Sequence, residues 1–334
     1  MMFGALWTSE GVEGFAPEGF EPEFEDVALL HDGTVTLAPP LEEHVRPDES
    51  SVWCLTETRS GRLYAGTGNH GRVYRLSQGD PVVVFEPESG EILAMCADAD
   101  DRLFFGLTPD GTVYRLSGSG QPELLFETGE SYVFSLLPFP GGDLLCATGP
   151  EGKLYRIKPG AGGSKVFTAP QTHLTALAWL VPGRDLLVGT APGGIVYRLR
   201  FGSASSPPEV SVLYDTPLAE VRSIVARSDL VYIAANPDEN TEEQTTAQVF
   251  CVSLEGGKRW QWACPDSTVF SLLPSGNDIL VATGSKGMVF RLDSLGRQSV
   301  IQKVDEPNVT CLLGSGDRVW VSTAGPGAVY RLGT

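Results

Sequence analysis

Apolar residues recur along the chain in short runs with a period of two, as in V-W-C-L-T at 52–56, L-Y-A-G-T at 63–67 and V-V-V-F at 82–85. Such alternation places side chains on the two faces of a strand, whereas a helix needs a 3.6-residue period that no stretch here displays. Gly, Asp, Asn and Pro stand at the junctions between runs, where tight hairpins require them. The pattern is also self-similar. G-R-V-Y-R-L at 71–76 returns as G-T-V-Y-R-L at 111–116, G-K-L-Y-R-I at 152–157, G-I-V-Y-R-L at 194–199, a degraded A-Q-V-F-C-V at 247–252, G-M-V-F-R-L at 287–292 and G-A-V-Y-R-L at 327–332. The aromatic of each copy (Tyr74, Tyr114, Tyr155, Tyr197, Phe250, Phe290, Tyr330) follows the last by 40, 41, 42, 53, 40 and 40 residues.

Units of about forty residues suit four short strands each. The predicted fold is therefore an all-β, seven-bladed β-propeller, with blades starting near 52, 92, 133, 174, 221, 269 and 309. In the first unit 52–56 is strand A, 63–67 strand B, G-R-V-Y-R-L strand C and 82–85 strand D. The seventh unit supplies strands A to C and then reaches Thr334 without a fourth. F-E-D-V-A-L-L-H-D-G-T-V-T-L-A at 24–38 reads as two strands around an Asp32-Gly33 turn. The expectation is that 34–38 becomes the outer strand of the last blade with 24–30 beside it, closing the ring and hiding sheet edges. This gives an acidic tail at 1–23 and one propeller over 24–334, of which 24–50 is the closing segment.

L-Y-A-G-T-G-N-H-G-R-V-Y-R-L at 63–76 and L-L-V-G-T-A-P-G-G-I-V-Y-R-L at 186–199 resemble the two-component regulator propeller repeat. The similarity covers repeats one to four, six and seven. V-F-S-L-L at 133–137 and 269–273 is similar to WD-repeat strands, although the W-D dipeptide and its paired histidine are absent. Blade five departs, and V-F-C-V-S-L-E-G-G-K-R-W-Q-W at 249–262 resembles a quinoprotein dehydrogenase repeat. These resemblances imply a propeller and leave activity open, because the fold hosts sensors, scaffolds, lyases, lactonases and dehydrogenases.

Composition narrows the partners. The net charge of −18 disfavours nucleic acid, which needs a basic footprint. Residues 1–50 carry twelve acids and one base, Arg46, so the acidity belongs largely to the N-terminal segment. No run of 18 or more apolar residues exists, and no membrane span is expected. The opening M-M-F-G-A-L-W-T-S-E has neither a basic start nor a long apolar stretch. As written the chain is expected in the cytoplasm, or to be secreted or periplasmic if the N-terminus is truncated. A monomer is expected. The six cysteines show no C-x-x-C pairing and fall in strand patterns, so they are read as reduced and structural, with a Cys54–Cys311 bridge between neighbouring blades as the alternative.

The arginines after the strand C aromatic (Arg75, Arg115, Arg156, Arg198, Arg291, Arg331) and the set Thr67, Thr148, Thr190, Thr283 and Thr323 recur with the repeat, which marks a structural device. Positions that vary while the scaffold repeats are better site candidates. The residue at the entry to strand A is Ser51, Glu91, Tyr132, His173, Glu220, Thr268 and Asn308 in repeats one to seven. Strand A is innermost in a propeller, so these residues should ring one channel mouth on the face carrying the B–C and D–A loops. The binding rim read from this is Glu91, Tyr132, His173, Glu220, Arg222 and Asn308, with Arg222 pairing with Glu220. Solvated loop ends are the plainer account of the same residues. A second break in symmetry is the acidic insertion N-P-D-E-N-T-E-E-Q-T-T at 236–246, either a docking finger for a basic partner or a solvated loop. N-V-T at 308–310 fits a glycosylation sequon but falls at a strand start.

Gly-rich phosphate loops, a G-x-S-x-G elbow and zinc-type cysteine pairs are absent from the sequence. The leading expectation is a non-catalytic propeller, without cofactor, that binds a protein or small ligand as an interaction platform or as the sensory part of a larger bacterial assembly. The alternative is a lyase or lactonase with a divalent cation near Glu91, Glu220 and Asn308 and His173 as the acid–base residue. A quinone-dependent dehydrogenase rests on blade five alone.

Overall fold

The structure is a computed structural model that describes residues 26–77, 79–118, 120–202, 206–238 and 246–333. Every regular element among them is a strand, and no helix is long and apolar enough to cross a membrane. Seven antiparallel sheets form, each running outward from strand A to strand D. Strand A of blades one to seven is Val52–Glu57, Glu91–Ala97, Tyr132–Phe139, His173–Val181, Glu220–Arg227, Thr268–Ser275 and Asn308–Ser315. Each packs on the next, and Asn308–Ser315 packs on Val52–Glu57, so the ring is closed and the chain is a seven-bladed β-propeller.

The last blade is completed from the N-terminal region, but by a different segment from the one predicted. Leu41–Val45 pairs with Val329–Leu332 as the outer strand of blade seven, in the register Glu42↔Arg331 and Val45↔Val329. The segment 34–38 does not take that place. Val27–Leu29 and Val35–Leu37 form a hairpin that extends blade six, with Leu29 opposite Val300 on strand D. The reason is spacing and burial. Leu29 is buried at 1% exposure among blade-six residues such as Phe290 and Val300, while Leu37 is 81% exposed. Leu41–Val45 is closer along the chain to strand A of blade one and has the apolar Val45 to set against Trp320 and Val329. The tail at 1–23 lies outside the described residues.

Packing between blades explains the repeated motif. Each buried cluster joins neighbouring blades, and the strand C aromatics sit inside these clusters, with Tyr114 half-buried and stacked on Phe105 at 5.5 Å. The glycine that opens the motif has a specific cause. Gly111 adopts φ 63°, and a Cβ there would lie 1.7 Å from the Glu130 carbonyl oxygen in the loop leading to the next blade. The strand-end threonines each donate across the B–C turn, as Thr148 Oγ1 does to the Lys153 carbonyl at 2.8 Å and Thr190 Oγ1 to that of Ile195 at 2.9 Å. Four of the six arginines, Arg115, Arg156, Arg198 and Arg331, pair with acids on adjacent strands, as Arg156 does with Asp143 at 2.7 Å and Arg115 with Glu123 at 2.7 Å, rather than converging on the axis. All six cysteines are free, Cys54 and Cys311 included.

Candidate functional site

In every strand A the pairing with strand B slips by one residue just after the first buried aliphatic position. The residue at the slip has no cross-strand partner: Trp53, Leu93, Phe134, Thr175, Arg222, Phe270 and Thr310 in blade order. A bulge of this kind re-aims its side chain and frees it from the sheet's alternation. The flanking Val52, Ile92, Val133, Leu174, Val221, Val269 and Val309 are wholly buried and fix the strand. Blades four and seven spend the bulge on structure, since the hydroxyls of Thr175 and Thr310 donate to the carbonyls of Val221 and Val52 in the adjoining blades.

The larger bulge residues meet across the axis. Trp53 of blade one and Phe270 of blade six lie 6.5 Å apart although blade seven stands between them. That approach requires both rings to project into the channel, past the small Thr310. The Arg222 guanidinium lies 5.7 Å from the Phe270 ring centre. On blades three and four, Tyr132 stacks on Phe134 at 5.4 Å, and His173 meets both rings edge-on, at 5.9 and 5.2 Å. The mouth therefore has two aromatic groups, one holding a cation and one holding an imidazole.

Of the rim residues expected from sequence, Tyr132 and His173 are brought together, as are Glu220 and Arg222, whose Nη1 lies 3.4 Å from Oε1. Glu220 also accepts from Asn236 Nδ2 at 3.4 Å, and Asn236 in turn bonds both backbone groups of Val269 in the next blade. Asn308 Oδ1 accepts from the Ser285 N–H at 3.1 Å. Glu91 makes no ion pair or side-chain hydrogen bond among the described residues. Glu91, Glu220 and Asn308 stand on blades two, five and seven, no two of which adjoin, and among the described residues no group of three or more His, Cys, Asp or Glu is placed to hold a metal ion. Burial pushes the His173 pKa below its ordinary value, opposed by the Glu220 charge, so the imidazole is neutral at pH 7. Its Nδ1 and the indole Nε1 of Trp53 have no hydrogen-bond partner among the described residues. The acidic insertion leaves the rim beside Glu220, since Asn236 is its cross-strand partner. Residues 239–245 lie outside the described residues.

Sequence reasoning missed the groups that hold the rim rigid. Three residues before the buried aliphatic of strand A stand Glu49, Glu130, Gln171, Asp266 and Glu306, four of them nearly or fully buried carboxylates. Tyr74 donates to Glu49 at 3.0 Å, Tyr197 to Gln171 at 3.0 Å and Tyr330 to Glu306 at 2.9 and 3.0 Å. Burial first, and the neighbouring carboxylate second, push the Tyr74 and Tyr330 hydroxyls up. Blade six has Phe290 in place of tyrosine, and there Asp266 accepts from Thr283 at 2.9 Å instead. Blade five pairs Leu218 with Phe250, with no polar group on either. The signal was available in sequence as this matching of acid or amide with tyrosine.

The fold and mouth define a seven-bladed propeller with an unsymmetrical aromatic channel entrance. No protein-family model and no curated relative matches the chain. Among solved structures it is similar to virginiamycin B lyase from Staphylococcus aureus, with a TM-score of 0.73 and 11% identity over 88% of this chain and 99% of that one. A streptogramin B lyase structure gives 0.72 and 12% over 88% and 97%. The WD40 propeller domain of Doa1 gives 0.68 and 14% over 87% and 96%. Identities this low establish the shared fold, WD40-like propellers included, and nothing about activity.

Proposed function

We propose that the protein is a binding propeller whose ligand, a protein loop or a small molecule with a planar group, inserts at the mouth between Trp53, Phe270 and Arg222 on one side and Tyr132, Phe134 and His173 on the other. One observation carries this reading. The scaffold repeats around the ring, while the bulge and entry residues that face the channel do not. Aromatic residues and arginine dominate binding energy where partners meet. The rings of Trp53 and His173 are half-buried, and their Nε1 and Nδ1 lie against Gly68 and Gly149 with no hydrogen-bond partner among the described residues. The test is affinity capture and tryptophan fluorescence with the native chain and with Tyr132→Ala and Phe270→Ala variants. Loss of a captured partner in both variants, with an unchanged far-UV spectrum, supports the reading; retention in both sinks it.

A second reading is favoured by the neutral, half-buried His173 at the mouth, whose imidazole can take a proton as a base does. Under it the protein is a lyase or lactonase. Thermal shift with calcium, magnesium and manganese, alone and in a Glu91→Gln, Glu220→Gln double variant, tests whether a cation takes part.

A further inference from the structure

We propose a second ligand site, independent of the mouth, in the seam between blades seven and one on the opposite face, taking a small zwitterion of the amino-acid class. The seam holds a half-open cavity of about 310 Å³ between the closing strand and the first blade, at the lower end of small-molecule sites. Its apolar side is Trp320, Leu63 and Leu76, which are 6%, 4% and 5% exposed. His44 leans on Trp320 at 4.8 Å, and burial together with the Arg331 charge keeps that imidazole neutral. The indole N–H of Trp320 has no acceptor among the described residues, an uncommon state for a buried donor.

The charges around the cavity leave a specific remainder. Arg331 is paired with Glu42, and Glu43 with Arg46 at 2.7 Å. Glu57 and Arg318 line the same cavity and make no ion pair or side-chain hydrogen bond among the described residues. One acid and one base without ion-pair partners among the described residues thus flank an apolar wall. A purely anionic ligand satisfies Arg318 and repels Glu57, and a purely cationic one does the reverse. A ligand with carboxylate and ammonium on one carbon matches both, and its side chain lies against Trp320, Leu63 and Leu76. Tyr132, Phe134 and Phe270 take no part, so this site stands or falls apart from the mouth.

The experiment titrates the full chain with L-leucine, L-methionine and L-phenylalanine, each compared with its amide and its deaminated acid, by thermal shift and tryptophan fluorescence. At about a hundredfold excess over Kd a Tm rise of about 4 °C is expected for at least one amino acid, with no saturable rise for either analogue. Arg318→Gln and Glu57→Gln, both at accessible positions, should each weaken binding about tenfold or more, while Tyr132→Ala leaves it unchanged. The proposal is overturned if none of the three amino acids gives a saturable change at about 20 mM, a concentration well above millimolar affinity. It is equally overturned if an amide or acid binds as well as its parent, or if Arg318→Gln binds like the native chain.

Discussion

The Tyr330 hydroxyl, on strand C of blade seven, donates to Glu306, in the loop entering the same blade, at 2.9 and 3.0 Å, with Arg46 closing on the carboxylate at 2.8 Å. The Glu306 side chain is only 2% exposed, so the tyrosine hydroxyl and the cation from the closing segment together hold that charge. Tyr330→Phe removes one bond to a charged group and should cost about 2 kcal/mol. Glu306→Ala takes the acceptor from the buried tyrosine hydroxyl, while Arg46 keeps Glu43, and should cost about 3 kcal/mol. Urea denaturation of both variants measures the two values and their order.

Gly111 shows why the motif opens with glycine. An alanine there must adopt a left-handed conformation and push into the Glu130 carbonyl. Gly111→Ala should therefore destabilise by about 3 kcal/mol or more, since the conformation alone costs roughly 1–2. Gly118 has a similar φ with nothing within 4 Å, so Gly118→Ala should cost only the conformational part. The difference between their denaturation midpoints is the measurement.

The N-terminal region has two separable tasks. Removing residues up to 38 strips the hairpin from blade six and uncovers Leu29's site, worth roughly 1.5–3 kcal/mol of burial. Removing residues up to 46 also takes the outer strand of blade seven and Arg46, opening the seam. The second truncation should lower the melting temperature at least twice as far as the first, read by circular dichroism.

Stability should fall on the alkaline side. Burial pushes the thiol of Cys264 up to about 12 and those of Cys251 and Cys311 up to about 11, and raises Cys54, Cys96 and Cys146 as well. In the unfolded chain thiols ionise near about 8.5, so above that pH the unfolded state has released protons that the folded state keeps. Each such thiol withdraws up to about 1.4 kcal/mol of stability per pH unit until its folded pKa is reached. Melting temperatures in reducing buffer should therefore drop steadily from pH 8.5 to 10.5. On the acid side His44 and His173 have lowered values, so stability should decline as pH falls below about 6.5, where the unfolded chain gains protons first.

Much of this was legible because a repeat advertises itself. The spacing of Tyr74 to Tyr330 gives the blade number, and the entry positions from Ser51 to Asn308 mark where each strand A begins. The choice between 34–38 and 41–45 as the closing strand was not legible, because L-E-E-H-V carries a weaker apolar alternation than V-T-L-A and the decision rests on contacts with Val329 and Trp320 nearly three hundred residues away. The aromatic groups at the mouth were only half visible. Trp53 and Phe270 could be named as variants at one position, yet their approach depends on Thr310 being small in the blade between them. The seam cavity was invisible, since Glu57, Arg318 and His44 share no sequence interval and meet only once the ring is shut.

The strand at Leu41–Val45 pairs with Val329–Leu332, and the hairpin strand at Val27–Leu29 meets Val300. During synthesis, blades one to five can assemble in turn as they emerge. The early strands must wait, unpaired, until strand D of blade six and strand C of blade seven have left the ribosome. Locking the circle is thus the final event in folding and joins the most distant parts of the polypeptide, the slow kind of contact in any chain. Until then the growing arc carries a raw border at each end, and these are the places where a chaperone or a stray neighbouring chain will take hold.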